Sequence, residues 1–163
     1  MPSVQPSKVA ARALRVAPAL ALTLLLAACA GVPRQSQVER SSGEAVAAVA
    51  AGLVGTPYRF GGTDARGFDC SGLAVYAYEK AGIVIPRTAA EQHHAARAVA
   101  LRDLSPGDLV FFRIRSFHVN HVGIYVGAGR FIHAPRSDAL VSYASLQAGY
   151  YRKHLVSAGR FFR

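Results

Sequence analysis

Apolar residues recur at helical spacing in the first half of this chain and at strand spacing in the second half. The first helical segment opens with Ser41-x-x-Glu44, the spacing of a capping box, and glycines follow within residues 52–55. Its apolar stripe consists of Val46, Val49, Ala50 and Leu53. The pattern therefore predicts a first helix that begins near residue 41 and ends near residue 52.

A second helical stripe begins at Cys70 and has Gly82 as its stop signal. The stripe consists of Cys70, Leu73, Ala74, Ala77 and Ala81. Cys70 is predicted to lie in the first turn, where unpaired backbone N–H groups and the helix dipole favour an anion. We expect a thiol placed there to ionise more readily than a free cysteine. The alternative for a lone cysteine is a small buried side chain that packs like alanine.

The segment after this helix is predicted to be extended over residues 83–88 and helical over residues 89–97. The predicted helix is polar and contains His93 and His94. Adjacent positions on a helix point in different directions, so we interpret both histidines as surface residues.

The second half of the chain is predicted to form β-structure. Residues 105–108, Ser-Pro-Gly-Asp, indicate a turn, and the apolar run at residues 109–112 indicates a strand. Residues 121–126 alternate, which predicts a strand with Val122, Ile124 and Val126 on one face. A last strand is predicted over residues 155–162.

The alternating strand is predicted to form a hairpin with residues 131–134. If residues 127–129 form a three-residue loop, Val126 pairs with Arg130 and Gly123 pairs with His133. His133 then lies diagonally opposite His121 on one face of the hairpin. Diagonal neighbours are close enough for long side chains to touch.

The N-terminal segment has the features of an export signal. Lys8, Arg12 and Arg15 form a positively charged region, and residues 18–28 are apolar but too short to span a bilayer stably. The remaining length suits one domain and not two. We therefore predict a signal peptide at residues 1–28.

The end of this signal, Leu-Ala-Ala-Cys at residues 26–29, resembles a bacterial lipoprotein processing box. Lipidation of Cys29 would anchor the chain to a membrane and would leave Cys70 as a free thiol. Ordinary signal cleavage is the alternative. We predict a flexible tether at residues 29–43 and a folded domain at residues 44–163.

The chain is basic, with 19 Lys and Arg residues, nine Asp and Glu residues and a formal net charge of +10. Three of these cations belong to the predicted signal, so the mature chain keeps a net charge of +7. Its arginines are scattered singly and form no dense basic block. Because the chain is also predicted to be exported, nucleic acid is not expected as a partner. The charge favours loose attraction to an anionic polymer of the cell envelope.

One thiol at a helix start and two histidines on one hairpin face are what cysteine acyl-transfer catalysis needs. The first histidine, His121, would take the thiol proton and later protonate the leaving amine, while His133 would fix the orientation of His121. An alternative is a zinc site with Cys70, His121 and His133 as ligands. Zinc sites often contain a close Cys-x-x-Cys or His-x-x-x-His pair, and the sequence has neither.

Four motifs together resemble the NlpC/P60 cell-wall peptidases, from about residue 44 to the C-terminus. They are Asp-Cys-Ser-Gly at 69–72, Leu-Ser-Pro-Gly-Asp-Leu-Val-Phe-Phe at 104–112, His-Val-Gly-Ile-Tyr-Val-Gly at 121–127 and Phe-Ile-His-Ala at 131–134. The resemblance implies an α+β papain-like core in which the Cys70 helix packs against an antiparallel sheet. It also implies that Cys70 is the nucleophile, His121 the base and His133 the orienting residue.

The resemblance implies further roles around this set. Tyr58 would position the thiol or stabilise the oxyanion, and Ser71 would line the oxyanion region. Asp69 would bind an amino group of the substrate. Arg87, or an arginine of the loop at residues 113–120, would bind a carboxylate, and this loop would shape substrate choice.

The function implied by the resemblance is peptidoglycan hydrolysis, at D-Glu-γ-diaminopimelate or at a diaminopimelate cross-link. No metal or cofactor is expected, and we expect a monomer whose partners are peptidoglycan and the membrane. Because Ala30 is not the aspartate of an inner-membrane retention signal, we expect the outer membrane, facing the periplasm. The alternative is a non-catalytic lipoprotein that binds cell-wall peptides or a protein partner.

Overall fold

The computed structural model describes residue 3, residues 34–136 and residues 138–163. The predicted processing site and the lipidation of Cys29 lie outside the described residues. No helix in the described ranges is both long enough and apolar enough to cross a bilayer.

A six-stranded sheet forms the centre of the fold. Its strands are β3 (Arg97–Val99), β4 (Leu109–Phe112), β5 (His121–Gly127), β6 (Arg130–His133), β7 (Ser142–Ser145) and β8 (Leu155–Arg160). They pair antiparallel throughout, in the order β3-β8-β4-β5-β6-β7. Two short strands, β1 (Thr63–Asp64) and β2 (Gly67–Phe68), form a separate hairpin before the cysteine helix.

Four α-helices accompany this sheet in the described part of the chain. They are α1 (Arg34–Gly52), α2 (Cys70–Lys80), α3 (Ala89–Ala95) and α4 (Gly149–His154). Helices α1 and α2 pack on each other and against β5, as the two predicted apolar stripes require. The prediction of an α+β fold with the cysteine helix packed on an antiparallel sheet is confirmed.

The two faces of the sheet bury different sets of side chains. On the helix face, Leu73 and Ala77 of α2 pack with strand residues such as Phe111 and Ile124, and all four are buried. On the other face the core consists of Val110, Phe112, Phe131 and Ala158. Each fully buried Leu, Ile or Phe side chain contributes about 1.5–3 kcal/mol relative to exposure, so the layer on the helix face holds α2 firmly in place.

The predicted start of the first helix is wrong. Helix α1 begins at Arg34, so the predicted tether is helical from that residue, and the boundary at residue 44 falls inside α1. The Ser41 hydroxyl donates to the Val38 carbonyl at 2.8 Å and does not cap the helix. The polar extension is supported by Glu39, whose carboxylate lies 3.6 Å from Arg97 and 3.8 Å from Arg160.

Two other predicted boundaries also need correction. Helix α3 ends at Ala95 because residues 97–99 pair with β8 instead of continuing the helix. The last strand ends at Arg160, two residues earlier than predicted. His94 is exposed as predicted, whereas His93 is half-buried with its ring 5.2 Å from that of Phe111.

Candidate active site

Cys70 is the first residue of α2, as the sequence predicted. Asp69 caps this helix, with its Oδ1 accepting a hydrogen bond from the Gly72 N–H at 2.6 Å. The backbone N–H groups of Cys70 and Ser71 belong to the first turn and have no partner within the helix. The nucleophile candidate therefore lies beside free N–H groups that can stabilise negative charge.

Asp69 and Arg87 bind each other. Arg87 donates from Nη2 to Asp69 Oδ2 at 2.6 Å and from Nη1 to the Ser71 hydroxyl at 2.9 Å. Burial alone would raise the pKa of Asp69, but the hydrogen bonds from Arg87 and Gly72 outweigh it and hold the pKa below its ordinary value. The predicted contacts of Asp69 and Arg87 with substrate stay predictions, and the pair already has a clear role in fixing the first turn of α2.

Gln92 is a positioning residue that the sequence analysis missed. Its side chain is fully buried, and its Nε2 donates to the carbonyls of Ser71 at 3.2 Å and Pro86 at 2.8 Å. These bonds tie α3 and the segment that carries Arg87 to the start of α2. A polar residue in a polar helix gave no signal of this role, because its partners are distant in sequence.

A close backbone approach brings Tyr58 beside the thiol. A Cβ at Gly72 would collide with the carbonyl oxygen of Gly62, so only glycine allows the turn before β1 to lie against α2. Tyr58 and Cys70 line the same cavities. Burial raises the pKa of Tyr58, and the nearby Cys70 and Asp69 raise it further, so its hydroxyl keeps its proton and can donate.

The two histidines meet as predicted. His121 is the first residue of β5 and His133 the last of β6, and Ile124 pairs with Ile132 in the predicted register. His121 Nε2 and His133 Nδ1 are 2.8 Å apart, which is a hydrogen bond. This direct bond fits a proton relay. Within the part of the chain that the structure describes, no group of three or more His, Cys, Asp or Glu side chains is arranged to hold a metal ion.

The predicted three-residue loop of this hairpin is wrong in one detail. Gly127 pairs with Arg130, so the loop contains only Ala128 and Gly129, both at positive φ (51° and 69°). Such a loop matches the twist of the two strands. A bulge between Tyr125 and Gly127 absorbs the extra residue, and for this reason the histidine pairing is unchanged.

Tyr151, on the unpredicted helix α4, extends the histidine pair. Its hydroxyl oxygen lies 3.2 Å from His133 Nε2, on the side of that ring away from His121. The ring of Tyr151 packs edge-on against His133, 5.2 Å between centroids, and against Phe131 and Phe112. Tyr151, His133 and His121 therefore form one continuous chain in a largely aromatic enclosure.

Burial keeps both histidines neutral at pH 7. It lowers the pKa of His121 to about 4, and burial together with the charge of His121 lowers the pKa of His133 to about 3. Because His121 Nε2 is bonded to His133, its Nδ1 is the nitrogen left to receive a thiol proton. The consistent tautomers are a neutral His121 that donates from Nε2 and a His133 that donates from Nε2 to Tyr151, as inferred from the hydrogen-bond chain.

The expectation that the Cys70 thiol ionises readily is wrong for the resting protein. Burial raises its pKa, and the neighbouring Asp69 adds to this, although the backbone N–H groups of Val122 and Ser71 act in the opposite direction. The helix start therefore does not outweigh desolvation. The thiol of Cys70 and the imidazole of His121 are therefore both neutral at pH 7.

These pKa values predict how stability depends on pH. A histidine that titrates near 6.5 when unfolded but near 4 when folded stabilises the fold fully above pH 6.5, and this contribution is lost as the pH falls toward 4. We expect the free energy of unfolding in urea to fall by about 3 kcal/mol between pH 7 and pH 4 for one such histidine. His121→Gln should flatten this dependence, whereas His94→Gln, an exposed control, should leave it unchanged. If the free energy of unfolding changed equally with pH in both variants, His121 would not be the histidine that folding keeps neutral.

Three adjoining cavities form a groove over the candidate site. The Phe60 cavity, about 300 Å³, is lined by Phe60, Asp69, Cys70 and His118 among others. The central cavity, about 260 Å³, contains Tyr58, Cys70, Asn120, His121 and Arg136. The arginine cavity, about 510 Å³, contains Ile114, Arg115, His121, Arg136, Tyr150 and Tyr151. Cys70 and His121 therefore both line the central cavity.

Comparison with known proteins gives one family match and several relatives. The family model described as "NlpC/P60 family" matches residues 55–160. The bifunctional muramidase/DL-endopeptidase CwlT of Bacillus subtilis is 47% identical over 109 residues, which cover 65% of this chain and 32% of CwlT. The murein DD-endopeptidase MepH of Escherichia coli is 46% identical over 112 residues, which cover 66% of this chain and 41% of MepH.

A solved structure shows the same architecture. The crystal structure of an NlpC/P60 family protein from Bacillus cereus superposes with a TM-score of 0.70 at 33% identity, covering 74% of this chain and 40% of that chain. This chain therefore spans less than half the length of CwlT, MepH and the Bacillus cereus protein.

Proposed function

Because this chain belongs to the NlpC/P60 family, we propose that it is a cysteine endopeptidase that hydrolyses the stem peptides of peptidoglycan. The observation that carries the proposal is the geometry of the groove. A thiol at a helix start and a neutral imidazole line one cavity, and the imidazole is held from behind by His133 and Tyr151. A module that only binds peptide would not need this chain of groups.

In the proposed mechanism, Cys70 Sγ attacks the peptide carbonyl while His121 Nδ1 accepts the thiol proton. The oxyanion is stabilised by backbone N–H groups of the first turn of α2 and by the Tyr58 hydroxyl. As the tetrahedral intermediate collapses, the C–N bond breaks and His121 returns its proton to the leaving amine. Water then attacks the thioester with His121 as base, which releases the acid and restores the Cys70 thiol.

His133 and Tyr151 act through His121. His121 gains a positive charge when it takes the thiol proton. Throughout the cycle, the Nε2–H of His121 donates a hydrogen bond to Nδ1 of His133. Tyr151 holds His133 in the tautomer that leaves Nδ1 free to accept. Arg87, Asp69 and Ser71 fix the first turn of α2, so the thiol and the N–H groups keep their places.

The bond cleaved is either D-Glu-γ-diaminopimelate or a diaminopimelate cross-link. The names of the two relatives do not choose between these bonds, since CwlT is called a DL-endopeptidase and MepH a DD-endopeptidase. Digestion of purified peptidoglycan by the full-length chain in detergent, with mass analysis of the fragments, tests the proposal. Stems shortened to L-Ala-D-Glu would identify the first bond, and dimers converted to monomers would identify the second. Unchanged fragments would favour the alternative of a peptide-binding lipoprotein.

We propose in addition that Cys29 is lipidated and that the chain is held at the outer membrane, facing the periplasm. The support is Leu-Ala-Ala-Cys at residues 26–29, followed by Ala30. In a bacterial host, Cys29→Ser should give protein that lacks the mass of the acyl chains. Maturation of this variant to the wild-type mass would refute the lipid anchor, and wild-type protein found only in inner-membrane fractions would refute the location.

A further inference from the structure

The arginine cavity is positively charged, and no carboxylate in the described part of the chain pairs with its arginines. Arg115 and Arg136 are its only formally charged lining residues, and no acidic residue lines it. Within the described ranges, neither forms an ion pair, whereas Arg59, Arg66, Arg87 and Arg160 all do. The cavity therefore offers two guanidinium groups to an anion from outside.

The arginine cavity adjoins His121 but not Cys70, which in the proposed mechanism is the leaving-group side of the reacting atoms. It shares His121 and Arg136 with the central cavity but does not include Cys70, whereas the Phe60 cavity includes Cys70 but not His121. In the proposed mechanism the acyl half becomes attached to Cys70, and the leaving amine receives its proton from His121. The half of the substrate that carries this amine must therefore extend past His121 into the arginine cavity.

The loop that carries Arg115 is held in a defined shape. The Asn120 side chain accepts from the Ile114 N–H and donates to the Ile114 carbonyl, both at 2.9 Å, which closes the loop across its base. Arg115 has a φ of 49°, a value that costs free energy for a residue with a side chain. The closed loop holds Arg115, six positions before His121 in the chain, at the edge of the groove.

We propose that the arginine cavity binds a free carboxylate on the leaving-amine half of the substrate. This inference rests on the proposed function. In both candidate bonds the leaving amine belongs to diaminopimelate, which carries a free carboxyl group at its D-centre. That carboxyl lies beside the leaving nitrogen in a cross-link and at the far end of the residue in a stem bond. Arg136, which also lines the central cavity, suits the nearer position, and Arg115 suits the farther one.

Two synthetic stem peptides test this site when they differ only in that diaminopimelate carboxyl group, free in one and amidated in the other. We expect the wild-type chain to hydrolyse the free form with a kcat/KM about tenfold higher, a typical effect for a charge-assisted hydrogen bond at a partly exposed site. In the double variant Arg115→Gln and Arg136→Gln, the ratio should fall to about one. Arg102→Gln, an exposed arginine outside the groove, should keep the wild-type ratio.

A double variant that melts at the wild-type temperature but keeps the tenfold ratio would overturn the carboxylate site while leaving the proposed peptidase intact. The carboxylate site would also be overturned if the wild-type chain hydrolysed the free and the amidated peptide with nearly equal kcat/KM. Hydrolysis of neither peptide by the wild-type chain, with peptidoglycan fragments also unchanged, would mean that the proposed function fails, and the inference that rests on it fails too.

Discussion

Cys70→Ala is expected to abolish peptide release from peptidoglycan, with a loss of about 10⁴-fold or more in kcat. The reason is chemical, because the variant lacks the thiol that forms the covalent intermediate in the proposed mechanism. Cys70 is the free cysteine within the described part of the chain, and its small side chain contributes little packing. Release rates should therefore fall to background, while the melting temperature stays close to that of the wild type.

The matched control is Val75→Ala, which trims a partly buried side chain of the same helix away from the groove. It should lower stability slightly and leave turnover near the wild-type rate. Cys70→Ser, which keeps the size of the side chain, should be almost as inactive as Cys70→Ala. Turnover retained in either Cys70 variant would remove Cys70 from the role of nucleophile.

Substitutions along the histidine chain should give a graded loss of activity. His121→Ala is expected to reduce kcat by about as much as Cys70→Ala, since it removes both the base and the acid of the proposed cycle. His133→Ala should cost less, because His121 remains and loses only its orienting partner. Tyr151→Phe should cost least, because it keeps the aromatic ring and removes one hydroxyl.

Single-turnover rates across pH separate a positioning role from a structural one. A positioning role for Tyr151 predicts that Tyr151→Phe lowers kcat, shifts the acid limb of the pH profile and leaves KM almost unchanged. The double variant His121→Ala with His133→Ala should be no worse than His121→Ala alone, because the residues act as a unit. Multiplicative losses in the double variant, or a larger loss from Tyr151→Phe than from His133→Ala, would contradict the chain of contacts.

The histidine geometry was predictable because period-two alternation fixes which residues share a face. His121 and His133 lie on one face in any hairpin that keeps the apolar residues of β5 on the other, and the bulge near the loop left this relation unchanged. The start of α2 was predictable for a similar reason, since an apolar stripe at helical spacing begins at Cys70; the structure adds the cap at Asp69.

Tyr151 could not be found in this way. Helix α4 is six residues long and polar, so it has no apolar stripe, and Tyr151 contacts His133 from 18 positions away. The pairing of Arg87 with Asp69 was missed for the same reason, because long-range contacts that depend on the whole fold leave no periodic pattern. Sequence reasoning predicted that His121 and His133 meet and that Cys70 begins a helix, but it did not find Tyr151 or the contact of Arg87 with Asp69.

The thiol pKa shows a second kind of limit. The sequence indicated the helix start, which favours the thiolate, but the extent to which the packed groove removes water from Cys70 is a property of the whole fold. The polar start of α1 is similar, since the contacts of Glu39 with Arg97 and Arg160 help to hold a segment that has no apolar stripe.

Covalent trapping tests the central claim most directly. The full-length chain is mixed with a stem peptide and quenched in acid within milliseconds, and its proteolytic fragments are analysed by mass spectrometry. The account predicts that the fragment containing Cys70 gains the mass of the acyl half of the peptide, joined as a thioester that hydroxylamine removes. Peptide hydrolysis with no adduct at Cys70, or with the adduct on another residue, would contradict the account.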